Sequence, residues 1–302
     1  MKKFEDLCKM TQKQLKEYMK QYLTENNYEV VCDDGFLYAK GTVPVLLVAH
    51  LDTVHKVLCK EITRINNKIS SPQGIGGDDR CGVFMIANIV KDLHCSVLLC
   101  EDEEVGAIGA AKFTKTEYIN NLDVNYMIEF DRKGNSDAVF YSCDNTEFIN
   151  FVTNCTGYKK AYGTFTDISK LMPASKICGV NLSCGYYNAH LVSEYVLYDE
   201  MMNTISVAKT LIEEKCDGPF KYVERQYSFY HNFGKQPTKK KQSIVDLIKK
   251  DYYLELDATV KTENGYEYSV SGSGETKAEC WFDLFCNYPH VCMNDIVDYD
   301  FT

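Results

Sequence analysis

The sequence lacks any apolar run of the roughly 18 residues that a bilayer-spanning helix needs, so no transmembrane segment is expected. Positive charge is also scarce, because 43 acidic residues against 33 lysines and arginines give a net charge of -10. Such a balance argues against nucleic acid or an anionic membrane as a partner, since either would need a basic face. The N-terminal stretch MKKFEDLCKMTQKQLKEYMKQYL lacks a continuous apolar core, so it does not resemble a secretory signal.

Paired cysteine spacing is absent as well. The 14 cysteines are scattered along the chain without any CxxC pair. In a chain of 302 residues with no apparent secretory signal, this favours free, mostly buried thiols in a reducing compartment over a disulfide framework. We therefore expect a cytoplasmic protein.

Short apolar runs are present, and they alternate with helical patterns. Val45–Ala49, Ser96–Cys100 and Val124–Phe130 predict strands that are buried on both faces. Helical periodicity predicts an opening helix over Lys3–Leu23, and a second, long helix is predicted from a cap at Ser193 to about residue 214. The alternation predicts an α/β fold with a mixed, largely parallel sheet sandwiched by helices.

The composition changes after Gly218-Pro219, which divides the chain into three predicted parts. These are a main domain over residues 1–217, a linker over 218–241 that contains three consecutive lysines, and a small α+β appendage over 242–302. In the appendage, Asn264-Gly265 predicts a hairpin, and Ser243–Lys250 and Thr276–Asn287 predict helices.

Acidic groups or a histidine follow the predicted strands of the main domain, where an α/β sheet gathers ligands at one edge. Imidazole nitrogens and carboxylate oxygens suit hard or borderline divalent cations. Two such ions about 3.5–4 Å apart need a bridging carboxylate and one or two terminal ligands each. The residues placed to supply these ligands are His50, Asp78, Glu104, Asp131 and His190.

Two further carboxylates accompany these ligands. Asp52 lies two residues after His50, a spacing at which it can orient the imidazole. Glu103 adjoins Glu104 and is placed to act as a general base on an activated water. Three ligand carboxylates against two dications leave one positive charge, which a bridging hydroxide would neutralise.

The segments HLDTV, GGDDRCG, EDEEVGAIGA, FDRKG and YYNAH, taken together and in this order, resemble the signatures of the co-catalytic zinc exopeptidases. That superfamily includes bacterial leucyl aminopeptidase, tripeptidase T, carboxypeptidase G and the tetrahedral aminopeptidases. Only 25 residues separate Asp52 from Asp78 and 58 separate Asp131 from His190, so the resemblance implies a minimal core without an inserted lid domain.

The resemblance also implies roles for single residues. His50 and Asp131 would hold one metal, and Glu104 and His190 the other. Asp78 would bridge the two ions and would be joined to Asp79 by a cis peptide bond. Asp52 would be the orienting carboxylate, and Glu103 the general acid/base that takes a proton from the bridging water as it attacks the carbonyl and passes it to the leaving amine. The expected metal is zinc, with cobalt or manganese as alternatives.

The sequence leaves four further residues open. Arg80 is expected to pair with a carboxylate, although it is also placed to face a substrate. Asp167 is placed either near the second metal or at a helix cap. His55 is taken as a loop histidine, with contact to substrate as the alternative. Glu194, four residues after His190, is expected to be a first-turn helix charge.

The sequence thus predicts a metal-dependent exopeptidase, an aminopeptidase acting on short peptides. One alternative is an amidohydrolase or deacylase that acts on N-acyl amino acids. Another is a non-catalytic metal-binding protein whose appendage binds a partner, although the presence of Glu103 argues against it. Assembly into a homo-oligomer is compatible with a core that lacks a lid.

Overall fold

The computed structural model describes residues 1–225 and three strands of the C-terminal part, at 254–261, 267–274 and 296–301. The chain divides into two compact units, Met1–Tyr227 and Ser228–Thr302. Most of the predicted linker, its lysine run and the predicted helices Ser243–Lys250 and Thr276–Asn287 lie outside the described residues. The predicted domain boundaries therefore stay predictions.

The first unit is built on an eight-stranded mixed sheet, which confirms the predicted α/β class. Its strands follow the order β1-β2-β6-β3-β7-β10-β8-β9. The central strands β6, β3, β7 and β10 run parallel to one another. The pairs β1–β2, β2–β6 and β10–β8 are antiparallel, and β9 runs parallel to β8. The strands are β1 Val30–Asp33, β2 Phe36–Ala39, β3 Val43–His50, β6 Cys95–Cys100, β7 Tyr126–Arg132, β8 Asp137–Val139, β9 Lys159–Ala161 and β10 Gly179–Ser183.

Helices cover both faces of this sheet. As a result, every residue from Val45 to His50 on β3 is buried. One group of helices packs around α3 and α8, and another around α4 and α7. A strand buried on both faces must be apolar throughout, which is why its sequence runs without alternation. The helices are α1 Phe4–Leu7, α2 Gln12–Glu25, α3 Gly77–Ile89, α4 Ile108–Phe113, α5 Glu117–Asn120, α6 Thr146–Thr156, α7 Asp167–Ser175 and α8 Tyr198–Glu213.

A second, smaller sheet lies within the same unit. It is antiparallel and contains β4 Thr63–Ile65, β5 Lys68–Ser70, β11 Tyr186–Tyr187 and β12 Tyr195–Leu197 in the order β11-β12-β5-β4. Strands β4 and β5 form a hairpin whose turn is Asn66-Asn67. Because β12 pairs with β5, this sheet joins segments that lie more than a hundred residues apart in the chain.

Two predicted helices of this unit were wrong in extent. The opening helix is two helices, since Thr11 accepts the backbone N–H of Gln14 and starts α2 anew. The long helix is not capped by Ser193 but begins at Tyr198, because the preceding residues form β12.

The second unit contains three described strands, β13 Leu254–Lys261, β14 Glu267–Gly274 and β15 Ile296–Phe301. They form an antiparallel sheet in the order β14-β13-β15. Strands β13 and β14 pair up to Lys261 and Glu267, on either side of the predicted Asn264-Gly265 turn, which itself lies outside the described residues.

Two expectations from composition can be compared with the structure. No helix among the described residues is long and apolar enough to cross a membrane. The cysteines of the described part of the chain are free, and most of them are buried, as the missing CxxC spacing predicted.

Candidate metal centre

The carboxyl ends of three neighbouring parallel strands place the predicted ligands at one edge of the sheet. His50 is the last residue of β3, and Asp131 is the second-last residue of β7. Glu103 and Glu104 follow the end of β6 in a turn. Parallel neighbours end at the same edge, so these groups lie close together.

The ligand atoms fall into two groups that share Asp78. In the first group, His50 Nε2 lies 2.9 Å from Asp78 Oδ1 and 3.6 Å from Asp131 Oδ1. In the second, His190 Nε2 lies 3.2 Å from Asp78 Oδ2 and 3.2 Å from Glu104 Oε2. Each oxygen of Asp78 therefore faces a different group, which is the arrangement that a bridging carboxylate requires.

The start of α3 fixes the direction of Asp78. The peptide bond between Asp78 and Asp79 is cis, as the resemblance implied. Asp79 is fully buried, and its carboxylate accepts the backbone N–H groups of His50 at 3.1 Å and Gly82 at 2.9 Å. Asp79 thus ties the start of α3 to the end of β3.

The side chain of Asp52 connects His50 to the turn that carries Glu103 and Glu104. Its Oδ1 lies 3.1 Å from His50 Nδ1, which leaves Nε2 of that ring directed at the first group. The two carboxylate oxygens also accept the backbone N–H groups of Glu103 and Glu104, both at 3.0 Å. Burial opposes ionisation of Asp52, but these hydrogen bonds outweigh it and hold its pKa below the usual value.

Glu103 is the carboxylate best placed to exchange protons. Burial, together with the neighbouring carboxylates of Asp131, Asp167 and Asp78, raises its pKa to about 9 against the opposing effect of His50. A carboxyl group with a raised pKa can both accept and return a proton, as a general acid/base must.

The sequence did not reveal which groups hold Asp131. Its Oδ2 accepts the hydroxyl of Thr166 at 2.9 Å, and its Oδ1 accepts the hydroxyl of Tyr186 at 3.2 Å. Tyr186 is buried, whereas the hydroxyl of Tyr187 donates to Glu200 away from the ligands. A tyrosine adjacent to a strand usually packs in a core, so only the fold shows this hydrogen bond.

Two expectations about charged side chains were wrong. Arg80 is buried but forms no ion pair with a carboxylate in the described part of the chain; its guanidinium donates to the backbone carbonyls of Leu51, Asp52 and Met10. Glu194 is not a helix charge, because α8 begins four residues later and Glu194 is only 1% exposed. Its carboxylate instead accepts backbone N–H groups in the loop before Asp78.

Asp167 and His55 also have definite places. Asp167 is the first residue of α7, while Thr166 is the N-cap, so Asp167 is not the helix cap. Both of its carboxylate oxygens are buried and have no hydrogen-bond partner among the described residues, and burial raises its pKa to about 7. His55 Nε2 lies 2.8 Å from Glu194 Oε2, which makes His55 part of the scaffold around Asp78.

The residues present fit a pair of divalent cations. Glu104 Oε1 is buried and has no hydrogen-bond partner within the described ranges of the chain, although the other oxygen of Glu104 faces His190. A buried carboxylate oxygen without a donor is costly unless a cation satisfies it. Two histidines and three carboxylates, with Asp78 shared, supply the donor set that zinc and similar ions accept.

No protein-family model and no curated protein matches the sequence. Solved structures do resemble the fold. Aminopeptidase PepT from Bacillus cereus is 13% identical with a TM-score of 0.58, and a tripeptidase from Staphylococcus aureus is 13% identical with a TM-score of 0.56. Each similarity covers 70% of this chain and 96% of the other.

The TET1 peptidase of Pyrococcus horikoshii, which assembles into a tetrahedron or a large octahedral shell, is also similar. It is 15% identical with a TM-score of 0.50, over 68% of this chain and 94% of the other. These similarities concern the fold. At that level the resemblance indicated by the motifs is confirmed, because the chain shares its α/β fold with aminopeptidases and a tripeptidase.

Proposed function

We propose that this protein is a metal-dependent exopeptidase, an aminopeptidase that hydrolyses short peptides with two divalent cations, zinc being the preferred metal. The observation that carries this proposal is the sharing of Asp78 between two ligand groups, one with His50 and Asp131 and the other with Glu104 and His190. When bound, the two cations would supply Lewis acidity that activates a water and polarises the scissile carbonyl.

Two carboxylates of the chain, Asp52 and Glu103, have the remaining roles in the reaction. Asp52 fixes the ring of His50 through Nδ1 and, through two backbone N–H groups, the turn that carries Glu103 and Glu104. Glu103 takes the proton of the attacking water on its carboxylate and returns it to the departing amine nitrogen.

The solved structures that share this fold favour a free amino terminus as the substrate group. They include two aminopeptidases and a tripeptidase, whose substrates carry that group. This supports an aminopeptidase over a deacylase that acts on N-acyl amino acids.

Three measurements test the proposal. Metal analysis of the purified, zinc-reconstituted protein should find about two ions per chain. A panel of free-amine dipeptides against N-acyl amino acids should show hydrolysis of the former. Glu103→Gln should lower kcat by about 10²- to 10⁴-fold and retain the metals. A protein that binds no zinc, cobalt or manganese would contradict the metal centre, and exclusive cleavage of N-acyl substrates would favour the deacylase.

We further propose a cytoplasmic location and assembly into a homo-oligomer. The free thiols of the described cysteines support a reducing compartment. The shell formed by the TET1 peptidase and the apolar residues exposed in the loops of the candidate site support assembly.

A further inference from the structure

Glu194 is a buried carboxylate that none of the roles above requires. Its Oε1 accepts the backbone N–H of Asp78 at 2.9 Å, and its Oε2 accepts the backbone N–H of Gly76 at 2.9 Å. Oε2 also lies 2.8 Å from His55 Nε2. The carboxylate is therefore fully engaged with the loop that leads into Asp78, and it is not directed at the ligand atoms.

Two glycines of that loop, Gly74 and Gly77, lie close to the side chains of His55 and Glu194. A Cβ atom on Gly74 would lie 2.2 Å from the ring of His55, and Gly74 has a φ of +85°. A Cβ atom on Gly77 would lie 2.8 Å from Val196 and 3.2 Å from Glu194 Oε1. The GIGGDD segment thus wraps closely over His55 and Glu194, which explains why glycine occupies both positions.

The position of Glu194 in the chain couples two ligands. His190 lies four residues before Glu194, and its Nε2 lies 3.2 Å from Asp78 Oδ2. The segment from His190 to Glu194 therefore contacts Asp78 twice. His190 faces the carboxylate of Asp78, and Glu194 accepts the backbone N–H of Asp78. If this segment moved, His190 and Asp78 would both lose their position.

We infer that Glu194, supported by His55, is a positioning residue that sets the bridging carboxylate of Asp78 relative to His190. This inference rests on the proposed function, because it assigns Glu194 a task in building the metal centre. Groups that orient metal ligands through hydrogen bonds commonly contribute 10- to 100-fold in metal affinity or activity, which sets the size of the expected effect.

The test replaces Glu194 by glutamine, which keeps the shape of the side chain. A carboxylate accepts on both oxygens, whereas the amide places an NH₂ donor against one of the two backbone N–H groups. One buried N–H then loses its acceptor, and the loop must shift to restore it. Metal affinity is measured by equilibrium dialysis against zinc and cobalt, and the visible spectrum of the cobalt form reports ligand geometry independently of activity.

Asn145→Ala is the matched control for a purely structural loss. Asn145 also accepts a backbone N–H, from Phe148 at 3.0 Å at the start of α6, and donates to the backbone of Lys221. Its removal weakens the fold but leaves the ligand loops untouched. We expect Asn145→Ala to keep the metal affinity and cobalt spectrum of the wild type while its melting temperature falls.

For Glu194→Gln we expect metal affinity about 10- to 100-fold weaker and an altered cobalt spectrum. Wild-type affinity and spectrum in a folded Glu194→Gln protein would overturn the inference alone, because the wild type would still bind metal and cleave peptides. A wild type that binds no metal would overturn the proposed function as well. If Glu194→Gln does not fold, His55→Gln decides: weaker metal binding supports the inference, and unchanged binding overturns it.

Discussion

At the scale of single residues, the candidate centre depends on side chains that hold the ligands as much as on the ligands. Asp52 holds His50, Asp79 holds the end of β3, and Tyr186 with Thr166 holds Asp131. Each of these contacts replaces a hydrogen bond to water by a buried hydrogen bond within the protein. In the low dielectric of the interior such a bond is stronger, so its geometry has a larger effect on the ligand. Substitutions that remove one hydrogen bond without changing shape can therefore test the arrangement.

Tyr186→Phe removes the hydroxyl that donates to Asp131 Oδ1. We expect metal affinity to fall about tenfold at the site of His50 and Asp131, since loss of an orienting hydrogen bond has effects of that order. The neighbouring Tyr187→Phe is the control, because the hydroxyl of Tyr187 donates to Glu200. Zinc titration of both variants by calorimetry checks this; equal affinities would show that Thr166 alone positions Asp131.

Asp167 predicts a pH effect on the stability of the metal-free protein. Burial raises its pKa from 3.8 in the unfolded chain to about 7, so between these values only the folded state keeps the proton. Its contribution to the free energy of unfolding is therefore complete below about pH 4 and is lost as the pH rises towards 7, by at most about 1.4 kcal/mol per pH unit.

Asp167→Asn removes this titration. We expect the free energy of unfolding of the variant, measured by urea denaturation in a chelator, to exceed that of the wild type by an amount that grows from pH 4 to pH 7. The exposed Asp123→Asn serves as the control and should leave the pH dependence unchanged. A constant difference between Asp167→Asn and the wild type across this range would contradict the assignment.

At the scale of elements, the sequence predicted which residues lie at the strand ends. It did not predict the contacts that hold those residues in position. A run such as Val45–Ala49 is apolar throughout, so it predicts a buried strand, and His50 must follow at its carboxyl end. The helix predicted from Ser193 was wrong in its start, because the sequence of Tyr195–Leu197 is compatible with either a helix start or a strand. Its pairing with Lys68–Ser70 decides the outcome, and that partner is far away in sequence.

The same distinction applies to Asp131 and Tyr186. Asp131 was predictable because it lies near the end of an apolar strand, but its hydrogen bond to Tyr186 joins β7 to the small second sheet. Contacts between sheets depend on how the chain packs in three dimensions, and local periodicity contains no information about them. The two helices in place of one at the N-terminus show a further limit, because Thr11 starts a new helix inside a continuous periodic pattern.

The loop before α3 gives a prediction at this scale. Gly74→Ala would place its Cβ atom 2.2 Å from the ring of His55 at a φ of +85°, so both strain and overlap oppose it. Gly157→Ala is matched for backbone strain, because Gly157 has a φ of +69° with nothing within 4 Å of the new Cβ atom. Thermal denaturation should show a clearly larger loss for Gly74→Ala, whereas equal losses would show that the loop yields to the new methyl group.

At the scale of the whole molecule, exposed apolar side chains concentrate in the segments that carry the candidate site. Of the twelve large apolar side chains exposed in the described part of the chain, seven lie in the loops that carry candidate site residues or precede Thr166, and an eighth, Ile108, begins helix α4 just after one of them. They are Val54, Val57, Val105, Ile108, Tyr162, Phe165, Leu191 and Val192. Exposed apolar groups concentrated in a few loops mark an interaction surface, and assembly would limit the access of large substrates to the site.

This surface predicts a homo-oligomer in solution, which light scattering after size-exclusion chromatography detects. Val105 is 67% exposed and Val192 is 68% exposed, so each offers apolar area that an interface would bury. Val105→Asp and Val192→Asp should shift the protein towards the monomer, because an unpaired carboxylate is costly in an interface. Val223→Asp, at a 50% exposed position away from these loops, should leave the assembly unchanged. A wild type that stays monomeric at high concentration would assign the apolar loops to the substrate.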